Sequence, residues 1–303
     1  MFFAQKIFMP LRRIVSSGLA CAIPALLLLP MAVSAQSQSS GSPRIFNTVK
    51  LKLKDGKQVV GGTISSPDPD IYCAMANAGF DYTWIEMQHS PLTYSEVARM
   101  IWACRGAAAL PFIRVPDATE GDIQKATDVG AVGIIIPMVD TVEKVKNAVK
   151  FAKYPPIGAR SLGGGQYRSL WGPDYRDVAN DNIMIVAMIE NPAGAAIVDK
   201  IVAIPGVDVI FVASTDLSSF SGFKQGEPQY EALVTKVKDS TLKAGLKVGG
   251  PHAWKGTREG YAFFQGASDT SLVRAGAQAS LGGAAHEGTK KGVAPIEGTE
   301  KTK

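Results

Sequence analysis

Short apolar runs alternate with segments of helical periodicity along most of the chain. The runs predict eight strands, at residues 59–65, 82–86, 110–114, 132–137, 183–189, 207–212, 247–250 and 269–273. The helical segments lie at residues 47–57, 69–78, 93–104, 119–129, 141–152, 193–204, 230–244 and 255–264. Such alternation over this length predicts an α/β fold, a (β/α)8 TIM barrel with a parallel eight-stranded sheet. A doubly wound open sheet is the alternative, but the sequence lacks the Gly-rich fingerprint expected after its first strand.

Two acids follow neighbouring predicted strands. Glu190 ends the apolar run at 183–189, and Asp216 comes shortly after the run at 207–212. Because consecutive parallel strands lie side by side and open on the same face, the two carboxylates should converge. Converging carboxylate oxygens suit a divalent metal cation, Mg²⁺ or Mn²⁺, with Co²⁺ as a further candidate. The alternative for either acid is a helix cap, a role that Asp often has.

The ends of strands two and three add a base and a fixed positive charge. Strand two ends in Glu86-Met87-Gln88-His89, and strand three ends in Arg114. With a 2-oxo acid on the metal, this set could run enolate chemistry, in which a carbon–carbon bond forms or breaks. Arg114 could donate to the developing oxyanion, and His89 could move the proton of a substrate hydroxyl. No lysine ends a strand in the matching place, which argues against a Schiff base.

One connection interrupts the alternation. Residues 153–181 have no clear period and contain Arg160, Gly163-Gly164-Gly165 and several aromatic residues. Long ordered loops in compact domains are usually functional. Since this one follows strand four, we expect it to overhang the mouth at which the acids point. A place at a subunit interface is the alternative, and the two are compatible.

The N-terminal 35 residues have a different pattern. A basic start precedes an apolar run at 19–33, and Val33-Ser34-Ala35 is a small-residue cleavage pattern. This predicts a secretory signal peptide at residues 1–35, cut after Ala35, and a periplasmic or secreted protein without a stable membrane anchor after cleavage. A transmembrane anchor is the alternative, but the run is short and contains two prolines.

The remaining composition fits a single large domain. Of 303 residues, 46% are hydrophobic and 19% are charged. We expect a linker and N-terminal segment at 36–57, the barrel at 58–281, and a flexible Gly/Ala/Lys-rich tail at 282–303. Removal of the leader lowers the net charge from +5 to +2 because it contains three basic residues and no acids, so the basic pI does not indicate a nucleic-acid partner.

Two cysteines remain after the leader. Export permits a disulfide between Cys73 and Cys104, but both fall in predicted helices without a framework spacing. The expectation is two buried free thiols, with the disulfide left open.

Several motifs in order resemble the HpcH/HpaI aldolase/citrate lyase family, over roughly residues 58–275. They are Phe80-Asp81-Tyr82-Thr83-Trp84-Ile85-Glu86-Met87-Gln88-His89-Ser90-Pro91, Arg114-Val115-Pro116, Asp128-Val129-Gly130-Ala131, Ile136-Pro137-Met138-Val139, Tyr154-Pro155-Pro156-Ile157-Gly158-Ala159-Arg160, Ile189-Glu190 and Thr215-Asp216-Leu217-Ser218. The resemblance implies a divalent-metal-dependent class II aldolase that cleaves a 4-hydroxy-2-oxo acid to pyruvate, or a related 2-oxo acid, and an aldehyde. It also implies a homo-oligomer, often a hexamer with helix exchange.

The resemblance assigns roles by position. His89 resembles the general base, Arg114 the enolate-stabilising arginine, and Glu190 and Asp216 the metal ligands. Glu86 is a supporting residue just before the base. Asp128 and Arg160 fall on family positions associated with the site and with neighbouring subunits.

The sequence departs from the family at two substrate-binding places. Ala213-Ser214-Thr215 stands where the family often has Gly-Pro-Ala, whose backbone amides hold the substrate carboxylate, and Met188 stands where many aldolases have Gln. These departures favour, as the alternative to a carbon–carbon lyase, an exported barrel that binds a 2-oxo acid or a metal without turnover. Lyase chemistry on a CoA thioester is a third reading, disfavoured because the sequence shows no evident basic channel for the CoA phosphates.

Overall fold

The computed structural model describes residues 43–282. The predicted leader, residues 36–42 of the predicted linker and residues 283–303 of the predicted tail lie outside the described residues. Within the described range, no helix is both long enough and apolar enough to cross a membrane.

Eight parallel strands close into a barrel. They are β1 (Val59–Ile64), β2 (Tyr82–Glu86), β3 (Leu110–Arg114), β4 (Gly133–Ile136), β5 (Met184–Ile189), β6 (Val209–Val212), β7 (Lys247–Pro251) and β8 (Tyr261–Ser268). Each strand pairs with its neighbours in chain order, and β8 pairs with β1. The (β/α)8 barrel predicted from the sequence is therefore confirmed.

Helices surround the barrel. They are α1 (Thr48–Lys54), α2 (Pro69–Ala76), α3 (Tyr94–Ala103), α4 (Glu120–Asp128), α5 (Val142–Ala152), α6 (Tyr167–Trp171), α7 (Tyr175–Asn182), α8 (Pro192–Ala196), α9 (Val198–Val202), α10 (Ser214–Ser221), α11 (Pro228–Lys243) and α12 (Asp269–Ser280), with a 3₁₀ turn at His252–Trp254. Small polar residues cap many of them; at α3, Thr93 and Glu96 form a reciprocal capping box. The helix predicted at 193–204 is two short helices, and α10 was not predicted.

Aromatic rings fill the barrel interior. Tyr82 stacks on Phe263 with ring centroids 4.5 Å apart, and Trp84 contacts Phe211 at 5.1 Å. Glycine on a neighbouring strand makes room, since a Cβ at Gly133 would overlap the ring of Phe112. The interior is thus a packed core rather than a pore, and a ligand site must lie at one end of it.

The two last predicted elements are wrong. Residues 255–264 do not form a helix, and residues 269–273 do not form a strand; β8 covers the end of the first segment, and α12 begins at Asp269. The apolar run at 261–264 follows Gly260, which has a positive φ of 85° and ends the preceding turn. The Ser268 side chain then accepts from the Ser271 N–H and starts the helix.

The expected position of the 153–181 segment is also wrong. The chain enters it from the end of α5, which has already returned to the amino ends of the strands. Its contacts lie there: Trp171 Nε1 donates to the Gly130 carbonyl at 3.0 Å, and Gln166 Nε2 donates to the Val129 carbonyl at 2.6 Å. The segment, which includes α6 and α7, therefore covers the end of the barrel opposite the acids.

The two cysteines are not buried free thiols. Cys73 on α2 and Cys104 at the end of α3 form a disulfide, with Cα atoms 5.3 Å apart, and both residues are half-buried. Residues on adjacent helices come within bonding range because α2 and α3 pack side by side around β2, an arrangement that sequence spacing does not reveal.

We predict that reduction of this disulfide destabilises the barrel. Closure of a loop of this length stabilises a fold by about 2–4 kcal/mol, so dithiothreitol should lower the midpoint of thermal unfolding by several degrees. The double variant Cys73→Ser/Cys104→Ser is the control, since reductant should leave its midpoint unchanged. Alkylation of both thiols in unreduced, denatured protein, detected by peptide mass, would contradict the pairing.

The Asp269 carboxylate connects the end of β8 to the end of β1. It is buried and accepts hydrogen bonds from the Ser65 N–H at 2.9 Å, the Ser66 N–H at 2.8 Å and the Ser65 hydroxyl at 2.8 Å. Burial alone raises the pKa of Asp269, but the N–H groups of Ser66 and Ser65 outweigh it, and the net pKa lies below the ordinary 3.8.

We predict that Asp269→Asn lowers the free energy of unfolding by about 1.5–3 kcal/mol near neutral pH. A carboxylate whose pKa is lower in the folded than in the unfolded state stabilises the fold at pH values above the unfolded pKa, and this stabilisation is lost on acidification. The difference in the free energy of unfolding between wild type and Asp269→Asn should therefore narrow as pH falls below about 3.8. Urea unfolding between pH 6 and pH 3 measures this, with Asp199→Asn, an exposed position on α9, as the control. A gap that stays constant with pH would contradict the role of the ionised carboxylate.

Candidate active site

A cavity of about 180 Å³ opens at the carboxyl ends of the strands. Its walls come from β3, from β5 to β8, and from the segments that follow β2 and β6: His89, Arg114, Met188, Phe211, Ala213, Ser214, Thr215, Asp216, Pro251 and Gln265. Six of the ten site residues predicted from the sequence lie in this wall.

Arg114 is held in the wall by a buried carboxylate. Its Nε donates to Glu86 Oε2 at 2.5 Å, and its Nη2 forms an ion pair with the same oxygen. The guanidinium lies 5.7 Å from the centroid of the Trp84 ring, and Trp84 Nε1 also donates to Glu86 Oε2. These contacts occupy one edge of the guanidinium and leave Nη1 toward the cavity, 4.0 Å from the Met188 sulfur.

Glu86 also holds the turn that carries His89. Its Oε1 accepts from the backbone N–H of Gln88 at 2.8 Å and of His89 at 2.9 Å, and the Ser90 hydroxyl donates to its carbonyl. The His89 side chain is exposed at the cavity rim. One carboxylate therefore fixes both the arginine and the backbone of the predicted base.

Glu190 is 1% exposed and is not among the residues that line the cavity. Its Oε1 accepts from the backbone N–H of Met138 at 3.2 Å. Met138 has a positive φ of 51°, an unfavourable backbone for a side-chain-bearing residue, and Lys144 Nζ donates to its carbonyl at 3.2 Å. Lys144 also pairs with Asp117 at 2.8 Å. The turn after β4 is thus shaped to present an N–H to Glu190, the acid that follows β5.

The donor set at Glu190 and Asp216 fits a divalent cation. Burial raises the pKa of Glu190; the Met138 N–H and the Arg114 charge lower it, the nearby Asp216 charge raises it, and the net shift is upward. Two carboxylates close enough to repel are stabilised by a shared cation. Among residues 43–282 no group of three or more His, Cys, Asp or Glu side chains gathers, so the remaining ligand positions would fall to substrate or water.

The N-terminus of α10 faces the same cavity. Ala213 provides no side-chain cap, and Ser214, Thr215 and Asp216 form the first turn. The first backbone N–H groups of a helix have no partner within the helix, and they favour an anion. Ala213, Ser214 and Thr215 all keep a backbone N–H.

The comparisons with known proteins identify the family of this chain. The model of the HpcH/HpaI aldolase/citrate lyase family matches residues 64–250. The chain belongs to this family. A hydroxypyruvate/pyruvate aldolase of Rhizorhabdus wittichii is 30% identical over 242 residues, which cover 77% of this chain and 96% of that protein. Another of the same name, from Delftia acidovorans, is 32% identical over 251 residues, 78% of this chain and 91% of that one.

A solved structure supports the assignment. A member of the HpcH/HpaI aldolase/citrate lyase family from Burkholderia cenocepacia superposes with a TM-score of 0.71 at 28% identity, covering 79% of this chain and all of that one. The family resemblance stated from the sequence motifs is therefore confirmed.

Asp128 and Arg160 do not line the cavity of this family member. Arg160 donates to Asp128 at 2.9 Å and to the Tyr175 hydroxyl at 2.9 Å, with its side chain fully buried. The guanidinium lies over the rings of Tyr154 and Tyr167, at 4.7 and 5.1 Å from their centroids. This cluster anchors the 153–181 segment at the other end of the barrel.

Ala213 was named from the sequence only as part of the Ala213-Ser214-Thr215 segment, and three further cavity residues were not predicted: Phe211, Pro251 and Gln265. Gln265 was missed because residues 255–264 were assigned to a helix. The sequence did contain a signal for this strand. Residues 261–265 form a short run rich in aromatic residues between Gly260 and Gly266, and such a run is typical of a buried strand.

We predict that Glu86→Gln lowers the free energy of unfolding by about 1.5–3 kcal/mol, because Arg114 loses its buried ionic partner. Urea unfolding measures the change. Glu143→Gln, at an exposed position on α5, is the matched control and should stay within about 0.5 kcal/mol of wild type. Equal stability of the two variants would show that Glu86 does not hold the arginine.

Proposed function

We propose that this protein is an aldolase, a carbon–carbon lyase that cleaves a 4-hydroxy-2-oxo acid to pyruvate, or a related 2-oxo acid, and an aldehyde. The observation that carries the proposal is Arg114, fixed by Glu86 with one guanidinium nitrogen left toward a cavity that also holds His89 and Asp216. The names of the relatives, hydroxypyruvate/pyruvate aldolases, support it.

The substrate carboxylate would bind at the first turn of α10. The backbone N–H groups there favour an anion, and they lie in the wall of the cavity beside Asp216. This places the 2-oxo group between α10 and Arg114.

Glu190 and Asp216 would hold a divalent cation, Mg²⁺, Mn²⁺ or Co²⁺, which when bound supplies Lewis-acid polarisation of the 2-oxo acid. Arg114 Nη1 donates to the oxygen on which negative charge develops when the C3–C4 bond breaks. The guanidinium suits this role because its charge is permanent and its position is fixed before the reaction.

His89 takes the proton from the C4 hydroxyl as the aldehyde forms. Imidazole exchanges protons near neutral pH, and the exposed position of His89 at the rim gives that proton access to solvent. The enolate then gains a proton at C3 from water, and His89 releases the proton that it took from the C4 hydroxyl to solvent. In the reverse direction the same groups join an enolate to an aldehyde.

A non-catalytic binding role is the second candidate. Met188 favours the binding role, because its thioether contacts Arg114 at a place where a glutamine side chain would offer the substrate a hydrogen-bond donor.

Export to the periplasm or beyond, and assembly as a homo-oligomer, stay predictions from the sequence.

The decisive experiment is exchange of the pyruvate methyl protons with D₂O, followed by mass spectrometry, on metal-depleted protein with and without added Mg²⁺ or Mn²⁺. We predict cation-dependent exchange that falls at least about 100-fold in Arg114→Lys. Asp216→Asn should lose the stimulation by added cation. Arg99→Lys, at an exposed position on α3, is the matched control and should exchange like wild type.

Full exchange after exhaustive chelation would overturn the cation requirement. No exchange with either Mg²⁺ or Mn²⁺, in folded protein, would overturn the lyase and favour the binding role.

A further inference from the structure

Gln265 enters the cavity from β8 with a fixed orientation. The Thr63 hydroxyl on β1 donates to the Gly266 carbonyl at 3.0 Å, so its oxygen is free to accept, and Gln265 Nε2 donates to it at 3.4 Å. A carboxamide has two N–H donors and an acceptor oxygen. With one N–H used by Thr63, the side chain offers the cavity both a donor and an acceptor.

No other residue in the described cavity wall offers a side-chain amide. The lining residue on β5 is Met188, and the lining residues on β6 and β7 are Phe211 and Pro251. The same wall also carries polar residues (His89, Arg114, Ser214, Thr215 and Asp216), but Pro251, which pairs with Gln265, and Phe211 are apolar. An amide group of the half-buried Gln265 left unpaired beside them is costly.

The order of the strands places this amide on the side of His89. Glu190 and Asp216 follow β5 and β6, which lie across the closed barrel from β1 and β2. Gln265 leans toward β1 through Thr63, and His89 follows β2. The 2-oxo acid half of the substrate belongs with the two carboxylates, which leaves the aldehyde half for the side of His89 and Gln265.

We propose that Gln265 is a specificity-determining residue that hydrogen-bonds a hydroxyl on the carbon next to the aldehyde carbonyl. A hydroxyl both donates and accepts, as the free part of the carboxamide does, whereas an unsubstituted alkyl group would leave it unpaired. The enzyme thus selects 2-hydroxyaldehydes over simple aldehydes. The inference rests on the proposed aldolase function.

The test compares glycolaldehyde with acetaldehyde, which lacks the hydroxyl, as partners for pyruvate and Mg²⁺ with the full chain. In Gln265→Met, similar in size but without hydrogen-bonding groups, the ratio of kcat/KM for glycolaldehyde to that for acetaldehyde should fall about 10- to 100-fold. Circular dichroism checks that the variant is folded, and pyruvate methyl exchange, measured alongside, shows whether the substitution also acts on the 2-oxo acid half of the site. Gln229→Met, at an exposed position on α11, is the matched control and should change neither quantity.

The outcomes separate the two proposals. An unchanged ratio with normal exchange in Gln265→Met overturns the role of Gln265 and leaves the aldolase standing. Loss of exchange in that variant, in folded protein, places Gln265 at the 2-oxo acid and overturns the inference as well. Absence of exchange in wild type overturns the aldolase, and the inference falls with it.

Discussion

The ion pair between Glu86 and Arg114 is the contact on which the cavity depends. Glu86 is buried, and its two carboxylate oxygens have different partners. Oε2 binds the guanidinium of Arg114, and Oε1 accepts hydrogen bonds from the backbone N–H groups of Gln88 and His89. A charged group held this way needs little reorganisation when charge develops beside it. The cost of burying the pair is offset by the hydrogen bonds that surround it.

The two ends of the barrel have different tasks. At the amino end, α1 and the 153–181 segment cover the strands, and Arg160 lies among tyrosine rings with Asp128 as its partner. At the carboxyl end the chain leaves a cavity, and single residues connect neighbouring strand ends: Asp269 connects β8 to β1, and Met138 connects the turn after β4 to Glu190, which follows β5. The amino end of the barrel is closed by packed side chains, and the carboxyl end holds the cavity of the proposed reaction.

The polar groups of the cavity are unevenly distributed among its walls. Met188 makes the wall on β5 apolar next to Arg114, while Gln265 brings an amide from β8. In our proposal the enolate groups lie apart from Gln265, whose wall binds the aldehyde half of the substrate. Substrate choice can therefore diverge without any change in Arg114, Glu190 or Asp216.

The sequence by itself determined the barrel, seven of its strands and the strand-end acids, because periodicity is a local property and parallel topology sends every carboxyl end to one face. It did not place β8, although the cap at Ser268 was a local signal for α12. The disulfide and the position of the 153–181 segment depend on how helices pack, which local pattern does not encode. The same holds for Gln265, whose partner Thr63 is 202 residues away. Only the tertiary structure decided these contacts, since they join residues that closure of the barrel brings together.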